Sequence, residues 1–374
     1  MIFHSTFKKP ILLVGNGARN SGSFDLLQLL FDRTKIPILT SINAVDMVND
    51  KNKIGFIGTY GHRVSNVILS ECDLIIAIGI RLGLRQIGHN PSLFAPKAKL
   101  IRVDIDQNEL SRQIKEDEEK ILLDAKVFLQ LLMNEDIPSY EEWFNQCRNV
   151  ARLLEGIDDT DGNKVVKLIG TLLPANPIVT VDIGQNMCWV AQSLTLKGSL
   201  GRIIIGGSYG AMGVGLPYAI GASIAHHNSI VYCITGDGGL QMNIQELEVL
   251  VREKLPIKIL IINNHALGKI SEIQEKSYNS RYAQTTMDSG YSVPDFSKIA
   301  TAYGIKATYL ENYNELIKFK NWLLDNEPCL IDISIPFDTK LIPKIEFNTM
   351  NVLPKIDNKL ENYVYNLIKG VNCD

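Results

Sequence analysis

Short apolar stretches alternate with longer amphipathic stretches along most of the chain. PILLVGNG, SECDLIIAIG and AKLIRVDID each predict a strand that ends at glycine or aspartate, and SFDLLQLLFDRT predicts an amphipathic helix that begins at Ser23. Strands that are apolar on both faces and alternate with helices are typical of a parallel sheet covered on both sides. The first third of the chain is therefore predicted to be an α/β domain.

The same alternation returns after a charged, helix-like stretch, EDIPSYEEWFNQCRNVARLLEGIDD. PIVTVDIG, IVYCITGDGG and IKILIINN predict further buried strands, with helices between them. We expect two doubly wound, mainly parallel-sheet α/β domains. The predicted organisation is a first domain at 1–133, a linker helix at 134–155, a second domain at 156–337, and an irregular tail at 338–374 interrupted by prolines.

Composition narrows the class of protein. The 374 residues are 45% hydrophobic and 21% charged with a net charge of −3, so neither a nucleic-acid partner nor a membrane surface is expected. The six cysteines are scattered without a CxxC pair and indicate buried thiols in a reducing compartment. The N-terminus shows no signal peptide, and no uninterrupted apolar run reaches transmembrane length. We expect a cytoplasmic protein.

The most informative segment is ITGDGGLQMNIQELEVLVREKLPIKILIINN. Asp237 follows one apolar strand, Asn264 follows the next, and 24 residues separate the GDG motif from the NN pair. This length allows one helix and one returning parallel strand, so both motifs are expected at the same sheet edge, where α/β sheets bind ligands. A carboxylate and an amide oxygen suit Mg²⁺, and the remaining ligand positions would fall to a diphosphate and water.

Glycines beside Asp237 support a phosphate ligand. Gly236, Gly238 and Gly239 remove side chains where backbone would approach the phosphate, and a helix expected to begin near Asn243 would point N–H groups toward it. Taken separately, GDG is a strand-end turn and the two asparagines are capping residues. Their combination at this spacing favours a metal–diphosphate site.

GDG, 24 residues and NN resemble the signature of thiamine-diphosphate enzymes. The flanking segments QMNIQEL, LPIKILIINN, PDFSKIATAYG, DIGQNMCWVAQ and GGSYGAMGVGLPYAIGA resemble acetolactate (acetohydroxyacid) synthases in particular. KKPILLVGNGA, SECDLIIAIGIR and FAPKAKLIRVDID resemble the central domain of the same family. The resemblance extends from about Lys8 to about Ile335.

The resemblance implies roles for individual residues. Asp237 and Asn264 would bind Mg²⁺ by side chain and Ala266 by its carbonyl, while Gly210 would accept a hydrogen bond from the aminopyrimidine ring and Met212 would force the cofactor into its bent shape. The other implied cofactor contacts are Gly184, Gln185, Asn186, Gly236, Gly238, Gly239 and Gly268. The alternatives without the resemblance are core filler for Met212 and a turn residue for Asn186, although the position of Met212 between glycines favours the cofactor contact.

The implied acceptor pocket departs from the family pattern. It comprises Lys269, Ile270 and Ile273, and Ile273 stands where the biosynthetic enzymes carry tryptophan. Lys269 stands where they tend to carry methionine, which suits a more polar acceptor, although a solvated helix residue is an equal alternative. IRLGLRQIGHN replaces the acidic pair of the family's central domain, which argues against FAD.

The family's N-terminal pyrimidine-binding domain, with its catalytic glutamate, has no counterpart before Lys8. We therefore expect either a fragment or a homo-oligomer or complex in which a separate chain supplies that domain. The implied function is carboligation, in which pyruvate is decarboxylated and its two-carbon unit is transferred to a 2-oxo acid or another carbonyl. Alternatives are a thiamine-diphosphate-dependent 2-oxo acid decarboxylase or lyase, and a non-catalytic cofactor-binding subunit.

Overall fold

The computed structural model describes residues 7–49, 52–207, 209–345 and 356–370. The chain folds into two compact units. The first unit comprises 1–158 together with 342–374, and the second unit comprises 159–341.

The first unit contains a six-stranded parallel sheet. Its strands are β1 Pro10–Val14, β2 Ile38–Thr40, β3 Gly55–Phe56, β4 Leu74–Ile78, β5 Lys99–Asp104 and β6 Glu119–Leu122. Their spatial order is β3-β2-β1-β4-β5-β6, the arrangement of a doubly wound sheet. Every residue of β1 and β4 is buried, as expected for strands covered on both faces.

Helices cover both faces of this sheet. They are α1 Asn16–Asn20, α2 Phe24–Thr34, α3 Arg63–Glu71, α4 Leu84–Ile87, α5 Gln107–Ser111, α6 Ala125–Met133, α7 Glu141–Leu153 and, from the far end of the chain, α16 Asn358–Lys369. The predicted linker at 134–155 contains α7, whose buried face belongs to the core of the first unit. Trp143 on this helix also donates a hydrogen bond from Nε1 to the carbonyl of Pro10, at 3.1 Å. This segment is therefore a structural part of the first unit.

The prediction of an irregular tail at 338–374 is wrong for Asn358–Lys369, which forms α16. The helix begins after Asp357, whose side chain accepts hydrogen bonds from two backbone N–H groups, and its Val364 and Ile368 are fully buried. It packs against α7, so an apolar stripe on a mostly polar helix accounts for its place in the fold. Residues 346–355 and 371–374 of the predicted tail lie outside the described residues.

The second unit contains another six-stranded parallel sheet. Its strands are β7 Ile178–Val181, β8 Arg202–Ile205, β9 Val231–Gly236, β10 Ile257–Asn263, β11 Lys306–Leu310 and β12 Cys329–Ser334. Their order is β11-β12-β10-β9-β7-β8. The chain runs outward from β7 to β8 and then returns to β9 on the other side of β7. The point where the winding reverses therefore lies between β7 and β9.

The helices of the second unit precede or connect these strands in sequence. They are α8 Asp161–Leu172, α9 Gln185–Ser193, α10 Gly215–Ala225, α11 Asp237–Met242, α12 Leu247–Arg252, α13 Gly268–Ser277, α14 Phe296–Ala302 and α15 Lys320–Leu324. The two parallel sheets with flanking helices confirm the predicted fold class. The longest helix among the described residues has 13 residues, and none has the length and apolar character needed to cross a bilayer.

Candidate functional site

The predicted site residues of the second unit gather at the carboxyl ends of its central strands. Gly184 follows β7, Asp237 follows β9, and Asn264 follows β10. The β9–β10 register pairs Gly236 with Ile262, so the ends of these two strands lie side by side. Adjacent strands are about 4.8 Å apart. Since the reversal of the winding lies between β7 and β9, the residues line the crevice in which doubly wound sheets bind ligands.

Asp237 is a buried carboxylate with one unused oxygen. Its side chain is 3% exposed, and Oδ2 has no hydrogen-bond partner among the described residues. Burial raises the pKa of Asp237 to about 7, although hydrogen bonds from the Gly238 N–H and the Tyr291 hydroxyl act in the opposite direction. A short helix, α11, begins at Asp237 directly after the strand, and the helical stretch predicted near Asn243 follows it as a 3-10 turn at Ile244–Glu246 that leads into α12.

Asn264 is also buried, and its amide group is oriented. Its Nδ2 donates to Oε1 of Gln185 at 3.0 Å, and none of the described residues donates to its Oδ1. The carbonyl of Ala266 likewise accepts no hydrogen bond within the described part of the chain. Asn263 differs, because its Nδ2 donates to the carboxylate of Asp332 at 3.0 Å and its Oδ1 accepts from a backbone N–H. Only the second asparagine of the pair is therefore available for a ligand.

The start of α9 connects the strand ends. Nδ2 of Asn186 donates to the carbonyl of Asp182 at 3.0 Å and to that of Ile234 at 3.5 Å, which ties β7 to β9. Gln185 uses its whole amide group within the protein, since Oε1 accepts from Asn264 while Nε2 donates elsewhere. The side chains of both residues are thus structural links in the crevice, and the backbone of this turn remains available to a ligand.

Two glycines of the crevice lie close to neighbouring side chains. A Cβ atom on Gly238 would lie 2.6 Å from Cδ2 of Leu267 and 3.2 Å from Cε of Met212. A Cβ atom on Gly268 would lie 2.0 Å from Oε1 of Gln185 and 2.8 Å from Nδ2 of Asn264. The GDG turn, the loop after β10 and the Met212 side chain are therefore in direct contact.

The loop that carries Gly210 and Met212 is held by a residue without a sequence signal of its own. Asp182, at the end of β7, accepts hydrogen bonds from the N–H groups of Gly213 at 3.0 Å and Gly215 at 2.9 Å. It is 1% exposed, and burial raises its pKa despite these hydrogen bonds. Gly210 adopts a positive φ of 69°, which its lack of a side chain permits.

The predicted acceptor residues lie on α13, and none of them is buried. Ile270 is 43% and Ile273 54% exposed, so neither packs into the core of the second unit. Nζ of Lys269 lies 3.8 Å from Oε2 of Glu272. The cation is therefore paired within its own helix.

The donor set suits a hard cation that a ligand also holds. No group of three or more His, Cys, Asp or Glu side chains arranged for a metal occurs among the described residues, so a complete protein cage is not present there. Asp237 Oδ2, Asn264 Oδ1 and the Ala266 carbonyl are three oxygen atoms without hydrogen-bond donors around one crevice. Mg²⁺ takes such oxygen ligands and keeps positions for phosphate and water. A cation beside Asp237 would also offset the cost of burying its charge.

Comparison with known proteins identifies the domains. Residues 5–132 match the central domain of thiamine pyrophosphate enzymes, and residues 182–333 match their C-terminal TPP-binding domain. Thiamine pyrophosphate is the same compound as thiamine diphosphate.

Several curated proteins are similar over most of the chain. The acetolactate synthase large subunit of Pyropia yezoensis is 34% identical over 351 residues, 90% of this chain and 58% of that protein. The acetolactate synthase large subunit of Lactococcus lactis is 33% identical, over 91% of this chain and 60% of its own length. The acetolactate synthase isozyme 2 large subunit of Escherichia coli is 31% identical, over 88% and 60% respectively. The chain spans about three fifths of the length of these relatives.

The crevice and both domain matches are consistent with the resemblance found in the sequence. The chain belongs to the thiamine pyrophosphate enzymes, with the central and the C-terminal TPP-binding domains of that family and similarity to acetolactate synthase large subunits.

Proposed function

We propose that the second unit binds the diphosphate of thiamine diphosphate through Mg²⁺, with Asp237, Asn264 and the carbonyl of Ala266 as the protein ligands. The unpartnered Oδ2 of buried Asp237 carries this proposal. A buried carboxylate oxygen without a partner is costly, and a divalent cation removes that cost. The neighbouring amide and carbonyl oxygens, which accept no hydrogen bonds, are suitable further ligands.

The remaining predicted contacts have separate tasks in this proposal. The backbone at Gly184 and Gln185 begins α9, and its N–H groups would bind the diphosphate. The carbonyl of Gly210 would accept a hydrogen bond from the aminopyrimidine ring. Met212, whose Cε lies near the GDG turn, would support the cofactor and exclude water from this side of the crevice.

We propose carboligation as the reaction, with pyruvate as donor and a 2-oxo acid or another carbonyl compound as acceptor. Thiamine diphosphate, when bound, supplies the carbon nucleophile and the electron sink for decarboxylation. The similarity to proteins named acetolactate synthase supports transfer of the two-carbon unit. The acceptor would be contacted by side chains of α13 that are partly or largely exposed, namely Lys269, Ile270 and Ile273.

A pyrimidine-binding domain completes the site in this proposal. The relatives are longer than the region that matches this chain, and their additional length leaves room for a pyrimidine-binding domain. That domain would supply the glutamate that activates the cofactor ring. FAD is not part of the proposal.

Calorimetry with thiamine diphosphate tests cofactor binding directly. We expect binding by the wild-type chain in the presence of Mg²⁺, and a loss of most of the affinity when Mg²⁺ is omitted or Asp237 is replaced by alanine. Activity is then measured as acetolactate formation from pyruvate after addition of a pyrimidine-binding domain. Equal binding with and without Mg²⁺, or an unaffected Asp237→Ala variant, would exclude the proposed metal site.

A further inference from the structure

A hydrogen-bond network of three polar side chains ends at Asn264. Oε1 of Glu272 accepts a hydrogen bond from Nε2 of Gln185 at 2.9 Å, and Oε1 of Gln185 accepts one from Nδ2 of Asn264 at 3.0 Å. Nε2 of Gln185 also donates to the carbonyl of Thr339 at 3.4 Å. This network connects α13 with the start of α9 and the end of β10.

The chemistry of these groups fixes the direction of each hydrogen bond. An ionised carboxylate and a backbone carbonyl can only accept, so both Glu272 and Thr339 require the NH₂ group of Gln185. The oxygen of Gln185 must then face Asn264, which can meet it only with its own NH₂ group. The amide oxygen of Asn264 is therefore the atom left for a ligand. With the opposite amide orientation, Asn264 would present an NH₂ group, which repels a cation.

Burial prevents water from relaxing this constraint. Gln185 is 6% and Asn264 5% exposed, and the side chain of Glu272 is 10% exposed. Buried amide groups seldom lack partners, because leaving a buried donor or acceptor without a hydrogen bond destabilises the folded state. The orientation of Asn264 consequently depends on acceptors that are not themselves ligands.

We propose that Glu272 is a positioning residue that acts through Gln185 to hold the amide oxygen of Asn264 toward the cation. The inference rests on the proposed function and deepens it, since it explains how an uncharged side chain is made a dependable metal ligand. Partners that orient metal ligands typically contribute 10- to 100-fold to metal affinity. Glu272 differs from Asp237 in that it binds no metal itself.

Two substitutions at one position separate orientation from charge. Glu272→Leu removes both the acceptor and the negative charge. Glu272→Gln removes the charge but keeps an amide oxygen that can accept from Gln185. Glu275→Leu is the matched control, because it removes a carboxylate from the same helix, where Glu275 is 45% exposed and pairs with Lys340 at 2.7 Å.

The full chain is titrated with Mg²⁺ at saturating thiamine diphosphate, and binding is measured by calorimetry. Thermal unfolding of each ligand-free variant is measured in parallel. We expect Glu272→Leu to weaken Mg²⁺ binding by about tenfold or more. Glu272→Gln should remain within about threefold of wild type and Glu275→Leu should match wild type. Glu272→Leu leaves Gln185 with the carbonyl of Thr339 as its remaining acceptor, so we expect a lower ligand-free unfolding temperature for this variant. Mg²⁺ binding is therefore compared at a temperature at which every ligand-free variant is folded.

Equal weakening in both Glu272 variants would assign the effect to charge and overturn the inference. A Glu272→Leu variant that binds Mg²⁺ as tightly as the wild-type chain would also overturn the inference. The proposed function would still stand in that case, provided that the wild-type chain shows Mg²⁺-dependent cofactor binding. A wild-type chain without Mg²⁺-dependent cofactor binding would instead contradict the proposed function, and the inference with it.

Discussion

Replacement of Gly268 by alanine tests how closely the crevice is built around its backbone. The new methyl group would lie 2.0 Å from Oε1 and 2.6 Å from Cδ of Gln185, and 2.8 Å from Nδ2 of Asn264. The flexible end of one side chain could move away, but both neighbours are buried and share a hydrogen bond. The substitution should therefore break the bond between Gln185 and Asn264.

The expected cost follows from two opposing effects. A buried hydrogen bond whose partners are left unsatisfied costs about 1–3 kcal/mol. Alanine in place of glycine in a helix favours folding by up to about 1 kcal/mol, and Gly268 is the first residue of α13. The net prediction is a loss of about 1–2 kcal/mol in the free energy of unfolding, with about tenfold weaker Mg²⁺ binding in the presence of thiamine diphosphate.

Gly221 offers a matched control in the same unit. It lies within α10, and a Cβ atom there would have nothing within 4 Å. Gly221→Ala should therefore stabilise the protein by about 0.5–1 kcal/mol and leave metal binding unchanged. Urea unfolding midpoints and calorimetry provide both readouts. If Gly268→Ala stabilised the protein as much as Gly221→Ala and bound Mg²⁺ as tightly as wild type, the crowding argument would be refuted.

Three further predictions concern the stability of the second unit. Asp325→Asn should lower the free energy of unfolding by about 2 kcal/mol, because it leaves the fully buried Lys258 without the carboxylate that lies 2.8 Å from its Nζ. Lys258→Met removes the buried charge itself and should change the free energy of unfolding by less than about 1 kcal/mol. Equal costs of the two substitutions in urea unfolding would contradict this asymmetry. Burial raises the pKa of Asp325, but hydrogen bonds from two lysines outweigh it and bring the pKa to about 2, so its stabilising contribution should be present above about pH 4 and lost as pH falls toward 2. Acid unfolding of wild type and Asp325→Asn should therefore converge in that range, and parallel curves down to pH 2 would argue against the ion pair. Gly162→Ala should destabilise by about 1–3 kcal/mol, because its methyl group would lie 2.2 Å from Cδ2 of buried Trp189; an unchanged midpoint of thermal unfolding would contradict this.

The strand tips could be predicted because the pattern that encodes them is local. The mostly apolar strands Leu74–Ile78 and Ile257–Asn263 are buried throughout, and each is followed by a glycine or an asparagine. A helical crossover between two such strands makes them parallel, and consecutive strands are most often neighbours, as β9 and β10 are in this sheet. Asp237 and Asn264 therefore follow adjacent strand ends, as the 24-residue spacing predicts.

The role of α7 could not be predicted, because its partner lies about 200 residues away in sequence. An amphipathic helix has the same pattern whether its apolar face covers a domain core or joins two domains. The partner, α16, follows a stretch with two prolines and has only a narrow apolar stripe, including Val364 and Ile368. Long-range packing of this kind leaves no periodic signal that connects the two segments.

The supporting residues of the crevice were missed for a related reason. An aspartate at a strand end, such as Asp182, looks like a chain terminator, and its bonds to Gly213 and Gly215 cross about 30 residues. Glu272 looks like a solvated helix residue, although its carboxylate is nearly buried against Gln185. Residues that bind ligands are found in short motifs, whereas those that orient them are identified only through three-dimensional contacts.

Anomalous diffraction from Mn²⁺ bound together with thiamine diphosphate tests the central claim most directly, because Mn²⁺ takes the same oxygen ligands as Mg²⁺. We predict one Mn²⁺ peak about 2.0–2.4 Å from Oδ2 of Asp237, Oδ1 of Asn264 and the carbonyl oxygen of Ala266, with diphosphate oxygens completing the coordination. A peak elsewhere, or a bound cofactor with Asp237 and Asn264 facing away from the metal, would contradict the account.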